Sequence, residues 1–289
     1  MSTILEIKRL SKQYANSDFR LEDVSFSLPR GAIMGFVGEN GAGKSTTIGC
    51  ILNTLLRDSG MVRIFGKEMT DASTDIRDEI GVVYDTNAFP QHFTAVKISS
   101  AMRHMYTKWD DGLFKDYLRK FKLPEKQKIK AFSRGMTMKL AVAAALSHHP
   151  KLLILDEATS GLDPVVRDDI LDVFLDFVQD ENKSILLSSH ITSDLEKVAD
   201  YITFIHDGKI VFSEQKDKLI YEYGVMRCKA AQFAEMDKAD MLAYRKHDYQ
   251  TDVLVSDRQA AAKKYRDVVM DSITIEEIML MLVKGEKYS

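Results

Sequence analysis

The sequence has almost no cysteine. Only Cys50 and Cys228 occur among its 289 residues, and they lie far apart. That excludes a disulfide framework and makes a cysteine-built metal site unexpected. Charge of one sign is equally scarce: 40 Lys and Arg against 43 Asp and Glu leave a formal net charge of -3. The chain lacks the bulk basic charge that gives nonspecific nucleic-acid affinity, so no nucleic-acid partner is expected. No apolar run approaches the roughly 18 to 20 residues needed to cross a bilayer. The opening MSTILEIKRL shows no apolar h-region of a signal peptide. A cytosolic chain that is not itself a channel is the expectation. Internal repeats, low-complexity stretches and sustained heptads are also missing. The remainder is globular in character, 45% apolar and 29% charged. That suffices for one large core, or a core with a smaller satellite domain.

Strand signals open the chain at Ile4–Ile7, at Leu21–Leu28 by alternation, and at Ala32–Val37 as a continuous apolar run. A helix is expected over Lys44–Leu56, then strands at Met61–Phe65 and Gly81–Tyr84. From Ala95 the pattern turns helical, over Ala95–Tyr106, Leu113–Phe121 and Ser133–Ser147. Strands at Leu152–Leu155, Ile185–Ser188 and Tyr201–Ile205 then alternate with helices at Val165–Val178 and Thr192–Ala199. Such alternation implies an α/β fold with a largely parallel sheet covered on both faces. The helical stretch, about 86–150, interrupts it as an inserted subdomain. Past Gly208 the composition shifts to Lys, Asp, Met and Tyr. Strands are expected at Gly224–Ala231 and Gln250–Val255, with helices near Arg258–Tyr265 and Thr274–Lys284. The expected division is 1–222 and a small α+β appendix at 223–289.

The strongest local signal is Gly38-Glu39-Asn40-Gly41-Ala42-Gly43-Lys44-Ser45-Thr46, between an expected strand and an expected helix. It fits G-x-x-x-x-G-K-[ST] in the context that chemistry requires. Glycines let successive amides turn toward a polyphosphate, and the helix N-terminus adds partial positive charge there. Lys44 is placed to reach β- and γ-phosphates, and the Ser45 hydroxyl to ligate Mg2+. Downstream, Leu152–Leu155 ends in Asp156 and Glu157. A buried parallel strand carries both acids to its C-terminal edge, where open α/β sheets bind ligands. Asp156 suits Mg2+, and Glu157 suits an attacking water. Taken alone, acids after a strand are as often solvated turn residues. Following a phosphate loop, the functional reading is the better one. His190 ends the next expected strand, beside the acids and within reach of a γ-phosphate.

These motifs in this order resemble the ATP-binding subunits of ABC transporters. Phe132-Ser133-Arg134-Gly135-Met136 stands in the place of the signature motif, and Ser160-Gly161-Leu162-Asp163 in that of the D-loop. The resemblance covers about residues 4–222. It implies a P-loop ABC ATPase fold: a mainly parallel core sheet, an antiparallel β-subdomain and the inserted helical subdomain, to which the small C-terminal α+β appendix is added. It implies ATP and Mg2+ as ligands, with Tyr14 stacking on adenine. It also implies two subunits sandwiching two ATPs head-to-tail, as a homodimer or a heterodimer with a related ATPase. Ser133, Gly135 and Asp163 would then face the partner's nucleotide. A plain N-cap is the other reading of Ser133, and the two are compatible.

Two positions depart from the family pattern. Arg134 replaces the first glycine of the signature, and Asp85 stands where the family has a glutamine. Asp85 either ligates Mg2+ or stays solvated, and both readings stand at this point. Tyr106-Thr-Lys-Trp109-Asp110, Asp85 at the glutamine position and Ser189–Asp200 further resemble ATPases of small Gram-positive exporters. Those pair with ABC-2-type transmembrane subunits on separate chains, and include exporters of peptide antibiotics and phenol-soluble modulins. The resemblance thus implies a cytoplasmic ATPase held peripherally at the inner membrane face by its partner. Two alternatives are a soluble ABC-type ATPase unconnected with transport and a nucleotide-gated interaction module with low turnover.

Overall fold

The computed structural model describes residues 2–86 and 89–286. Residues 87 and 88, at the start of the expected helical subdomain, lie outside that range. The chain divides into two compact units, Met1–Ala199 with Ile205–Ile210, and Asp200–Phe204 with Val211–Ser289. The division runs upstream of the boundary read at 222.

In the first unit, β1 (Thr3–Gln13) and β2 (Arg20–Pro29) pair antiparallel. Alternation in β2 buries Leu21, Val24, Phe26 and Leu28, the pattern of a sheet with one wet face. Next, β3 (Ile33–Val37) enters the glycine-rich loop, followed by α1 (Lys44–Ile51). β4 (Ser59–Ile64) and β5 (Lys67–Glu68) complete an antiparallel sheet of order β2-β1-β4-β5. The helix α1 stops five residues before the expected Leu56. Asn53 takes a left-handed φ of 56° just past it, and the Thr54 amide turns back to the Gly49 carbonyl at 2.9 Å. Asparagine tolerates that conformation, and the returning bond closes the helix end.

A short helix, α2 (Thr74–Arg77), leads to β6 (Ile80–Tyr84). The expected helical segment follows as α3 (Ala95–Met105), α4 (Asp111–Lys120) and α5 (Arg134–Leu146). Each starts on a side-chain cap: Thr94, Asp110 and Ser133 accept from the Lys97, Leu113 and Met136 amides. The chain then returns to the sheet through β7 (Leu152–Asp156), α6 (Pro164–Phe177), β8 (Ser184–Ser189) and α7 (Thr192–Val198). All residues of β3, β7 and β8 are buried, which is why 33–37, 152–155 and 185–187 are apolar runs without alternation. They run parallel in the order β3-β8-β7-β6. The ribbon of β9 (Tyr201–His206) and β10 (Lys209–Gln215) contains the division between the units.

The second unit contains α8 (Lys216–Tyr221), β11 (Gly224–Cys228), α9 (Ala230–Ala234), β12 (Ala243–Lys246), β13 (Thr251–Val255), α10 (Arg258–Lys264), β14 (Val269–Asp271) and α11 (Ile275–Lys284). Its antiparallel sheet has the order β12-β13-β11-β14. Met226, Cys228, Met236, Tyr244 and Val253 form its core. Burial pushes the Cys228 thiol up to about 11. The strand expected over Gly224–Ala231 ends at Cys228 instead. Gln232 accepts the Lys229 amide at 2.8 Å, and the alanine-rich 230–234 segment turns helical.

Candidate functional site

Strand register builds the site. Asp156 on β7 lies opposite Tyr84 on β6 and Ser188 on β8, while Val37 on β3 lies opposite Ser189. The glycine-rich loop, Asp156-Glu157, His190 and Asp85 therefore all leave the same C-terminal edge of one parallel sheet. That edge is where a sheet of this type binds ligands.

The loop needs its glycines. Gly43 has φ 113°, and a Cβ there would lie 2.6 Å from Leu21 Cδ2 and 3.0 Å from Phe19 Cζ. Gly43→Ala is expected to cost about 1–3 kcal/mol of stability through strain alone. The drop in unfolding midpoint and a parallel loss of nucleotide affinity measure it. Asn40, Gly41 and Ser45 are exposed, and Thr46 is half-buried. The Lys44 side chain is 5% exposed. Its Nζ donates to the Gly38 carbonyl at 2.7 Å and the Glu39 carbonyl at 3.2 Å. It also faces Glu157 Oε1 at 3.2 Å as an ion pair, without an aligned hydrogen bond to that oxygen. The Tyr14 hydroxyl lies 3.4 Å from Thr46 Oγ1, so its ring stands beside the start of α1. Lys12 Nζ lies 5.9 Å from the centroid of that ring and is held by Asp58 at 2.9 Å.

The two acids are held differently. Ser188 donates to Asp156 Oδ1 at 2.6 Å, leaving the other carboxylate oxygen for a cation. The same hydroxyl accepts the Glu157 amide at 3.2 Å. One serine thus orients both acids. Sequence reasoning had passed over it in favour of His190. Glu157 has a left-handed φ of 55°, a strained conformation of the kind concentrated at functional sites. His190 Nδ1 is 2.6 Å from Glu157 Oε2. Lys44, Glu157 and His190 consequently form one chain of contacts over the glycine-rich loop. Among the described residues no three His, Cys, Asp or Glu side chains cluster as a metal cage. Mg2+ is commonly held by one or two protein oxygens with the rest from phosphate and water, and the second Asp156 oxygen and the exposed Ser45 hydroxyl would fit that need.

The remaining sequence-derived residues sit on neighbouring loops. Ser133 caps α5, accepting the Met136 amide at 3.2 Å. Gly135 packs against Val166, whose Cγ1 would lie 3.1 Å from an added Cβ. Asp163 caps α6, accepting the Val166 amide at 3.0 Å, with Pro164 at the first helical position. Asp85 is paired with Arg134, Nη2 to Oδ1 at 2.5 Å. Arg167 and Asp194 were not anticipated. Asp194 on α7 is 2% exposed and lies 3.5 Å from Arg167 Nη1. Arg167 Nη2 donates to the Leu162 carbonyl at 3.1 Å. One base and one acid near two helix starts carried the only hint of that pair in the sequence.

Beside the site, Tyr84, Asp85, Thr86, Lys130, Phe132 and Arg134 line part of an open cavity of about 450 Å³.

Comparison with known proteins bears on this arrangement. Residues 21–160 match the family model described as ABC transporter. The bacitracin transport ATP-binding protein BcrA of Bacillus licheniformis is 33% identical over 73% of this chain and 69% of its own length. The lantibiotic transport ATP-binding protein SrtF of Streptococcus pyogenes is 32% identical over 74% of this chain and 92% of its own. A solved ATP-binding subunit of an ABC transporter superposes with a TM-score of 0.66 at 29% identity. It covers 75% of this chain and 92% of that structure.

Proposed function

Because the chain belongs to the ABC transporter family as an ATP-binding subunit, we propose that its sheet-edge site hydrolyses ATP to drive peptide export through a separate ABC-2-type membrane subunit. ATP hydrolysis coupled to transport is the family's activity, and its ATP-binding subunits dimerise and work with separate transmembrane subunits. No helix among the described residues is long and apolar enough to cross a membrane. On this reading the membrane path belongs to the partner, which would hold this chain at the cytoplasmic face. Bacitracin and lantibiotic transport among the relatives supports a peptide as substrate.

One observation carries the catalytic reading: Lys44 joins the carbonyls of the glycine-rich loop to Glu157, and His190 holds the other oxygen of that same carboxylate. A triphosphate entering the loop offers charged acceptors stronger than those carbonyls, so Lys44 turns to the β- and γ-phosphates. Glu157 is then freed to orient the attacking water, and His190, released with it, contacts the γ-phosphate. Tyr14 stacks on the base, while Asn40, Gly41, Gly43 and Thr46 surround the phosphates. Bound Mg2+, held by Ser45 and Asp156, would neutralise charge building on the leaving oxygens. Ser133, Gly135 and Asp163 face the nucleotide of a second subunit, identical or related, since capped helix starts present free amides to an anion. The cavity beside Asp85 receives a cytosolic segment of the membrane subunit.

Co-expression with a polytopic membrane protein encoded beside it tests this reading. The pair is expected to co-purify. In proteoliposomes with the chain on the outer face, ATP is expected to drive accumulation of a lantibiotic-type peptide in the lumen. Absence of a stable complex, or hydrolysis unaffected by peptide and partner, contradicts it.

A further inference from the structure

The two residues that depart from the family pattern touch each other. Asp85 and Arg134 are 49 positions apart, yet Arg134 Nη2 meets Asp85 Oδ1 at 2.5 Å. The same guanidinium lies against a third loop. A Cβ on Gly161 would be 2.9 Å from Arg134 Nη1 and 3.0 Å from its Cζ, and Gly161 has φ 65°. Only glycine combines that backbone with room for the arginine. Arg134 thus links the loop after β6, the start of α5 and the loop between β7 and α6.

Both side chains remain about half exposed, at 53% and 45%. A pair that wet shifts a folding equilibrium by no more than about fivefold, so its use is not to stabilise the unit. Position is the better account. Arg134 directly follows Ser133, the cap of α5, and with Asp85 it also lines the large cavity. A single ion pair therefore connects the cavity wall to the start of α5. A neutral Gln and a Gly in these two places would make no such bond. One acid or one base alone would add an unpaired charge beside a polyphosphate site.

We infer that Asp85 and Arg134 are a positioning pair, exchanged together for the family's Gln and Gly, which ties the loop lining the cavity to the signature and D-loops. Neither residue is catalytic, and Asp85 serves Arg134 before it serves any metal. The inference rests on the ATPase reading of the site.

A double-mutant cycle on the complete chain in complex with its membrane subunit tests it. Asp85→Asn and Arg134→Ala are each expected to lower kcat for ATP about fivefold, with KM within twofold. The double variant is expected to be no slower than the slower single, because one interaction is lost only once. The reversal Asp85→Arg with Arg134→Asp is expected to recover more than half of the loss. Where Arg134→Ala does not fold, Arg134→Gln, which keeps bulk without the charge, takes its place in the cycle. Losses that multiply to about 25-fold in the double variant, singles with wild-type kcat, or a reversal no better than the double would each overturn the pair. Glu157→Gln in the same complex separates the two levels. If it leaves turnover intact, the assignment of hydrolysis to Glu157 and this sheet-edge site fails, and the pair with it. If it abolishes turnover while the cycle is additive, only the pair fails.

Discussion

Glu157→Gln is expected to lower ATP turnover by about 10²–10³-fold while leaving ATP bound and the ATP-joined dimer long-lived. The carboxylate is 16% exposed and shared between Lys44 at 3.2 Å and His190 at 2.6 Å. Both contacts are made to charge on the acid. Glutamine keeps the shape, so the seat of the nucleotide is preserved. It cannot accept a proton from water, and its amide offers only one acceptor oxygen. Lys44 and His190 then lose a charged partner together, so a triphosphate has no carboxylate to compete against for them. Nucleotide affinity is therefore expected to hold or rise, whereas Lys44→Ala is expected to lose it. Single-turnover hydrolysis separates chemistry from release, and size-exclusion chromatography with ATP follows the dimer. Turnover within tenfold of wild type would remove Glu157 from the water-handling role.

What could be read in advance follows from how local the constraint is. The loop from Gly38 to Thr46 is legible because the polyphosphate dictates glycine positions within a few residues. Strands β3, β7 and β8 were legible because burial on both faces leaves continuous apolar runs at 33–37, 152–155 and 185–187. Ser188 was harder to see as a partner of both acids. Its role depends on β7 and β8 pairing Asp156 with Ser188, and no sequence window contains that register. Asp85 and Arg134 each read as an isolated departure, since nothing local joins residues 49 apart. Strand β10 was missed although Asp207 and Gly208, with φ 45° and 74°, form the two-residue turn before it. Such a dipeptide marks a hairpin, but the polar KIVFSEQ strand has an intermediate or exposed position throughout and lacks a buried face to betray it. In the second unit β12 and β14 are only four and three residues long, too short for any alternation to register.

Asp194→Ala carries the second large effect, and it falls on stability. Asp194 is 2% exposed, and its Oδ1 faces Arg167 Nη1 at 3.5 Å. Removing one member of a buried pair leaves the other charge without compensation, which costs about 3 kcal/mol at the lower end of the usual range. The lower end applies because Arg167 is 24% exposed and regains some water. Asp194 Oδ2 and Arg167 Nε also have no hydrogen-bond partner, so the pair is not ideal. A loss of this size lowers the unfolding midpoint of the first unit by about 6 °C. Asp172→Ala, at an exposed position on α6, is the control and is expected to stay within about 0.5 kcal/mol. A second consequence sets the pair apart from mere packing. Arg167 holds the Leu162 carbonyl at 3.1 Å, one residue before the Asp163 cap of α6, while Asp194 sits on α7, four residues after His190. Losing the carboxylate loosens the D-loop relative to the histidine that meets Glu157. Turnover is therefore expected to fall in Asp194→Ala well below its unfolding temperature, with nucleotide affinity at the glycine-rich loop unchanged. Asp194→Asn keeps an acceptor for Arg167 and is expected to lie between wild type and alanine on both measurements. An alanine variant as stable and as active as the control would show that the arginine is held by the Leu162 carbonyl alone.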